Sequence, residues 1–281
     1  MAEILKPKNS HHPVEVFGYP IDISTQEAKQ NRAKYWCPFM NKKCDKQSRM
    51  LSYPMGVCSV LHMGNSIPIC PHRFLQDNTV FIDICDEFLG GTNNILLFKE
   101  IGLAAVGTFD FVLVKHKPIS NKVEDFCVVE LQSDSTTNTG KLVNALKDFL
   151  NGEDVSEIRY KYGMNTYNTI KLAYTQILYK GQALEKWQKK IVWVCPTYIF
   201  QNTVKRFNLT NLGYNPQCST SFFVYDSLRQ RDAYHLKLVD KSSSTIDNLL
   251  TAFTKQPTPK LDNFIALLEN KINLHLGITL S

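Results

Sequence analysis

The sequence lacks any long apolar run. No stretch of the 281-residue chain approaches the roughly 18 consecutive apolar residues that a membrane-spanning helix needs. Residues 1–6 contain no apolar stretch long enough for the core of a secretory signal, so we expect the protein to stay in the cytoplasm. Internal repeats and low-complexity tracts are also absent, which argues against a repeat protein.

The composition is that of an ordinary globular protein. Hydrophobic residues make up 43% of the chain and charged residues 21%, and its length is enough to bury a substantial core. The formal net charge of +6, from 32 Lys and Arg against 26 Asp and Glu, permits a polyanionic partner without requiring one. Eight cysteines in a cytoplasmic protein stay reduced, so they indicate metal binding or simple burial instead of a disulfide framework.

Four of the cysteines lie close together in a turn-rich part of the chain, at Cys37, Cys44, Cys58 and Cys70. Four thiolates suit a tetrahedral site for zinc or a single iron, although the spacing is wider than that of the usual ligand pairs. The alternative is four unconnected buried thiols, because free cysteine is among the most buried residue types. His72 could compete with Cys70 as a ligand, and we prefer the four thiolates.

Hydrophobic periodicity predicts a mixture of helices and strands. The expected helices cover residues 24–36, 79–88, 142–150, 166–187 with a break near Gly181, 246–253 and 261–274. The expected strands cover residues 95–103, 109–115, 125–132, 191–195, 221–225 and 234–239. The domains expected are an arm and helix over residues 1–36, a cysteine-ligated metal module over 37–74 and a core over 75–281.

Polar side chains interrupt two of the expected strands. Glu130 and Gln132 are two residues apart, so they point to the same face of their strand, and Asp110 interrupts an apolar run in the preceding strand. Phosphodiester hydrolysis needs a metal ion, and Mg²⁺ prefers a few carboxylates and waters as ligands. Asp110 and Glu130 are therefore candidate magnesium ligands, although Glu130 and Gln132 alone could equally form the solvent face of an edge strand.

The wider pattern of these residues adds to the argument. Asp110, a turn, Glu130-Leu131-Gln132 and the small polar residues of Ser133–Gly140 together resemble the PD-(D/E)XK nuclease core as it occurs in the NotI family of restriction endonucleases. The resemblance covers about residues 35–200. The commonest third residue of this motif is Lys, whereas Gln132 stands here, as Gln does in the NotI-like group, so a positive charge is missing from the site.

The resemblance implies both a fold and an activity. The implied fold is α/β or α+β, a restriction-endonuclease-like mixed sheet flanked by helices, with a small cysteine-ligated metal module near the amino terminus. The implied activity is that of a Mg²⁺-dependent type II restriction endonuclease with Asp110, Glu130 and Gln132 as catalytic residues. NotI-like enzymes are known for a four-cysteine iron site, which the four cysteines resemble; the sequence leaves iron and zinc open.

A further acid often joins such sites. Glu100, on the strand before Asp110, is the first candidate and Glu87, on the preceding helix, is the rival; either could be a plain surface residue. The expected partners are double-stranded DNA, a second copy of the chain on a palindromic site, and a cognate DNA methyltransferase in the same cell. The alternatives are a metal-stapled DNA-binding protein with an inactive nuclease core and a repair or recombination nuclease.

Overall fold

The computed structural model describes residues 11–210, 212–255 and 258–278. The strands are β1 (Pro13–Val16), β2 (Tyr19–Pro20), β3 (Trp36–Cys37), β4 (Lys42–Lys43), β5 (Val57–His62), β6 (Asn65–Pro68), β7 (Ile95–Leu103), β8 (Gly107–His116), β9 (Val123–Leu131), β10 (Thr136–Thr137), β11 (Gly163–Met164), β12 (Lys190–Cys195), β13 (Thr220–Gln230) and β14 (Ala233–Ser244). The α-helices are α1 (Gln26–Lys34), α2 (Thr79–Phe88), α3 (Thr139–Leu150), α4 (Thr166–Lys186), α5 (Thr197–Phe207), α6 (Ile246–Thr254) and α7 (Leu261–Asn273), and a 3₁₀ segment covers Pro71–Asn78.

The centre of the fold is a six-stranded mixed sheet in the order β14-β13-β12-β9-β8-β7. The three strands β7, β8 and β9 form an antiparallel meander, as expected from the turns between them. Strand β12 runs parallel to both β9 and β13, and α3 and α4 precede it in the connection from β9. The expected mixed sheet flanked by helices is therefore confirmed.

Helices cover both faces of this sheet. On one face α2 packs on Phe111 of β8, Val129 of β9 and Val192 of β12. On the other face α4, α5 and α6 pack on Val128 and Trp193, among other residues. The central strands are apolar on both sides because both of their faces are buried.

A second, four-stranded sheet has the order β2-β1-β5-β6. Residues 13–20, which lie in the segment expected to be an irregular arm, supply its first two strands, while residues 1–10 lie outside the described residues. Helix α3 packs on this sheet through Leu142 and Leu146. The small sheet thus draws on both of the segments 1–36 and 37–74, and the domain division itself stays a prediction.

One prediction about the helices was wrong, and one helix was missed. Helix α4 runs without interruption through Gly181, where a break was expected. A Cβ atom at this position would lie 2.3 Å from Cδ1 of Ile246 and 3.2 Å from Oγ1 of Thr220, so the glycine allows close packing against α6 and β13. Helix α5 was not predicted.

Within the described ranges no helix has the length and apolar character needed to cross a membrane.

Candidate active site

Three acids of the expected site share one row across the sheet. In the β8–β9 ladder Phe111 lies opposite Val129, so continuing the register by one residue brings Asp110 beside Glu130. Oδ2 of Asp110 accepts a hydrogen bond from the backbone N–H of Leu131 at 3.0 Å. This bond fixes the aspartate against the strand that carries Glu130.

Glu100 extends the row on the edge strand β7. It lies between residues paired with Phe109 and Phe111 of β8, which places it across from Asp110. Its φ of 53° is left-handed, a conformation that is uncommon for a non-glycine residue and that occurs often at functional sites. Glu100 and Asp110 line the same cavity of about 330 Å³.

Glu130 is almost completely buried, with 2% of its surface exposed. Its Oε2 accepts a hydrogen bond from Nζ of Lys180 at 2.6 Å, whereas its buried Oε1 has no hydrogen-bond partner among the described residues. Burial raises the pKa of Glu130 to about 7, the charge of Asp110 raises it as well, and Lys180 opposes both. A buried carboxylate oxygen without a partner is costly, so this arrangement fits a carboxylate that binds a cation.

Gln132 follows directly after β9. Its backbone N–H donates to the carbonyl oxygen of Val194 at 2.8 Å, which continues the pairing with β12, and its side-chain amide donates to the carbonyl oxygen of Ser133 at 2.9 Å. Gln132 borders a small apolar cavity together with Ile170 of α4 and Trp193. Like Glu130, it therefore faces the side of the sheet that α4 covers.

Two polar residues of this region were not predicted from the sequence. Lys180 contacts Glu130 directly. Asp134 is buried, and its carboxylate accepts hydrogen bonds from Oγ1 of Thr166 at 2.6 Å and from the backbone N–H of Ser135 at 2.7 Å. Asp134 thus holds the polar loop after the motif against the start of α4, and the signal for it was the run of small polar residues that follows Gln132.

Glu87, the rival to Glu100, lies on α2, against the other face of the sheet. Its Oε2 accepts a hydrogen bond from Nζ of Lys241 at 2.5 Å, and this bond is the main reason why the pKa of Glu87 is lowered. The structure therefore brings Glu100 to Asp110 and gives Glu87 a different partner. The catalytic role of Glu100 stays a prediction.

The four amino-terminal cysteines are all buried and free. Burial raises the pKa of the Cys37 thiol to about 11, and the neighbouring Cys70 and Cys44 raise it further; the Cys58 thiol is raised mainly by burial too, with Cys70 and Cys37 among the smaller causes. The four thiols are thus close enough to influence one another. Nevertheless, no group of three or more His, Cys, Asp or Glu side chains in the described ranges has the arrangement of a metal site, so the expected metal module is not shown.

Comparison with known families identifies the family of the chain. A family model described as restriction endonuclease NotI matches residues 15–238. The chain belongs to the NotI restriction endonuclease family. It is accordingly a site-specific deoxyribonuclease whose substrate is DNA. A search of the curated proteins finds no match to the chain.

The NotI family match is longer than the resemblance found in the sequence, which covered about residues 35–200. It begins inside β1, includes the four cysteines and most of both sheets, and ends inside β14. Helices α6 and α7 lie beyond it. The site residues from Glu100 to Lys180 all fall inside the matched part of the chain.

Proposed function

We propose that the protein is a Mg²⁺-dependent type II restriction endonuclease that cuts double-stranded DNA at a palindromic site. The observation that carries the proposal is the buried Oε1 of Glu130, which lacks a hydrogen-bond partner among the described residues and lies on the strand next to Asp110. Membership of the NotI family supports the reaction class.

The donor set of the site suits magnesium. Asp110 and Glu130 would hold the ion through carboxylate oxygens, which Mg²⁺ prefers, and one or two carboxylates are enough because waters and substrate phosphate complete its shell. Once bound, the ion would supply charge stabilisation to the phosphoryl oxygens in the transition state. Glu100, which lines a cavity together with Asp110, would add a third acid beside Asp110.

The chain's own residues would position the reactants. Leu131 donates its N–H to Asp110 and thereby holds one carboxylate, and Lys180 holds the other. The uncharged amide of Gln132 would accept a hydrogen bond from the attacking water or donate one to it. Its position just beyond β9, on the face that carries Glu130, supports this role.

Cleavage of plasmid DNA tests the proposed function. Incubation of the protein with plasmid in Mg²⁺ is expected to yield discrete fragments, and sequencing of their ends should give one palindromic site. Heterogeneous ends would favour a repair or recombination nuclease. Binding to DNA without any cleavage would favour a metal-stapled DNA-binding protein with an inactive core.

We further propose a homodimer as the active form. Two-fold symmetric DNA is matched most simply by two identical subunits, each cutting one strand. Such an enzyme would act in the cytoplasm, beside a cognate methyltransferase that protects the host DNA. Sizing with and without DNA checks this proposal, and a monomer in both cases would contradict it.

The four thiols are proposed to hold one structural iron or zinc ion. Support comes from their soft donor chemistry, their burial and the effect that neighbouring cysteines have on the pKa of Cys37 and Cys58. Cys58→Ser is expected to remove the metal, because it takes away one of the four thiolate ligands, and to destabilise the segment that the metal would hold together. Elemental analysis measures the metal content.

The matched control for the cysteine prediction is Cys195→Ser. Cys195 is equally buried but lies in β12 of the central sheet, so its substitution should leave the metal content unchanged. Wild-type protein containing neither iron nor zinc after careful purification would contradict the proposal.

Gln132→Ala is expected to slow the cleavage step by about 100-fold while changing DNA affinity much less. Gln132 is uncharged, so its removal leaves the charge that faces the DNA unaltered, and the attacking water loses its alignment. Single-turnover cleavage with saturating enzyme isolates this step from binding and product release. An unchanged single-turnover rate would remove Gln132 from the mechanism.

A further inference from the structure

Lys180 is a buried cation in the carboxyl-terminal part of helix α4. Only 5% of its surface is exposed, and its Nζ donates to Oε2 of Glu130 at 2.6 Å. The ammonium group lies 5.8 Å from the ring centre of Phe109 and 6.0 Å from that of Trp193. Glu130 is its hydrogen-bond acceptor, and the rest of its surroundings are largely apolar.

Stability alone does not account for this ion pair. Lysine is almost never fully buried unless it is paired, and the desolvation of two charges commonly cancels the gain from their attraction, so an apolar pair of the same volume would stabilise the fold at least as well. In addition, the hydrogen bond satisfies only one oxygen of the carboxylate and leaves the buried Oε1 without a partner among the described residues. This arrangement is explained if Oε1 has a ligand.

The packing of α4 brings the ammonium group to this place. Gly181, the next residue, lies so close to Ile246 and Thr220 that a Cβ atom there would overlap the Ile246 side chain. The glycine therefore lets α4 approach the sheet, and the lysine beside it reaches across to β9. In the dipeptide Lys180-Gly181, the lysine supplies the charge and the glycine allows the helix to come close to its neighbours.

We propose that Lys180 supplies to this site the positive charge that Gln132 does not, and that it acts as a positioning residue which holds Oε2 of Glu130 and leaves Oε1 free for the cation. The inference rests on the proposed role of Glu130 as a magnesium ligand. The positive charge that the motif lacks at Gln132 would then come from Lys180 of α4.

Three substitutions of Lys180 test the proposal in single-turnover cleavage. Lys180→Met removes the charge at similar length, Lys180→Gln keeps a hydrogen-bond donor without charge, and Lys180→Arg keeps the charge. We expect the Met and Gln variants to lose about 100-fold or more in rate and the Arg variant to stay within about 10-fold of wild type, since fixed charges in buried sites contribute on this scale.

The dependence of the rate on Mg²⁺ concentration separates positioning from a purely structural role. The Met and Gln variants should need more Mg²⁺ for half-maximal cleavage, because methionine donates no hydrogen bond to the Glu130 carboxylate and glutamine donates only a weaker, uncharged one. Lys189→Met is the matched control: Lys189 pairs with Asp125 at the other end of β9, also at 2.6 Å, but both side chains are partly exposed. The control should cleave at the wild-type rate with an unchanged Mg²⁺ requirement.

Each outcome bears on one proposal. If Lys180→Met unfolds, as thermal melting would reveal, the comparison of Gln with Arg decides, and equal rates for these two variants would overturn the role of the charge. A loss of rate that follows melting temperature with no change in Mg²⁺ requirement would also overturn it. Failure of the wild-type protein to cleave in Mg²⁺, or full activity of Glu130→Ala, would instead refute the proposed function.

Discussion

Glu130→Ala is expected to reduce DNA cleavage in Mg²⁺ by about 1,000-fold or more, because the loss of a metal ligand removes several kcal/mol of charge stabilisation from the transition state. Oε1 of Glu130 is buried and has no hydrogen-bond partner among the described residues, and alanine offers nothing in its place. The substitution should leave specific DNA binding measurable in Ca²⁺, where no cleavage competes with the binding measurement.

The measurement compares single-turnover cleavage in Mg²⁺ with binding to the same DNA in Ca²⁺. Glu124→Ala is the matched control, since Glu124 lies on the same strand, is exposed and has the same charge. It should retain the wild-type rate. A Glu130→Ala variant that still cuts at close to the wild-type rate would remove Glu130 from the mechanism.

The carboxylate row was predictable because strands follow a simple geometric rule. Side chains alternate between the faces of a strand, so a lone acid such as Asp110 in an apolar run is conspicuous. Antiparallel pairing of its strand with the next strand then brings it beside Glu130. The structure places them on adjacent strands as expected. The order of the strands around them, with β12 inserted between β9 and β13, depends on long-range pairing that no local pattern encodes.

Lys180 was not predictable by the same reasoning. A lysine in a helix is almost always solvated, and Gly181 beside it suggested a break because glycine is a poor helix former. The continuity of α4 through Gly181 is explained only in three dimensions, by the close approach of the helix to Thr220 and Ile246. Gly181, where a break was expected, is a packing contact of α4, and Lys180 beside it contacts Glu130 of the candidate site.

The small sheet was missed for a different reason. Strands β1 and β2 cover four and two residues, too few for an alternating pattern to stand out, and Pro13 and Pro20 suggested irregular structure. Their pairing depends on β5, more than forty residues further along the chain. The local composition therefore indicated a loop-rich region, whereas hydrogen bonds between distant parts of the chain form a sheet there.

Arg73 ties this small sheet to the nuclease core. Its guanidinium is fully buried, and its Nε donates to Oε2 of Glu15 on β1 at 2.8 Å. Its Nη2 donates to Oγ of Ser227 at 3.1 Å and to the carbonyl oxygen of Tyr234 at 2.6 Å, on β13 and β14 of the central sheet. One side chain thus links the two sheets through charge-assisted hydrogen bonds.

Arg73→Met is expected to lower the free energy of unfolding by about 3–5 kcal/mol, because it leaves the buried carboxylate of Glu15 without its counter-charge. Urea titration measures the change. Arg229→Met is the control: Arg229 lies on β13 and pairs with Asp22 at 3.0 Å, but that pair is exposed, and exposed pairs contribute about 0–1 kcal/mol. Equal losses for the two variants would contradict the special role of Arg73.

The cost of Arg73→Met should also depend on pH. Burial raises the pKa of Glu15, and Arg73 is the largest influence that lowers it, so its removal raises the pKa of Glu15 further. An acid whose pKa is higher in the folded than in the unfolded state destabilises the fold as pH rises from the unfolded towards the folded pKa. The stability difference between variant and wild type should therefore widen as pH rises through the interval between their two folded pKa values, and narrow on acidification. A difference that stays constant with pH would show that the lost hydrogen bonds to Ser227 and Tyr234, and not the uncompensated charge of Glu15, account for the loss of stability.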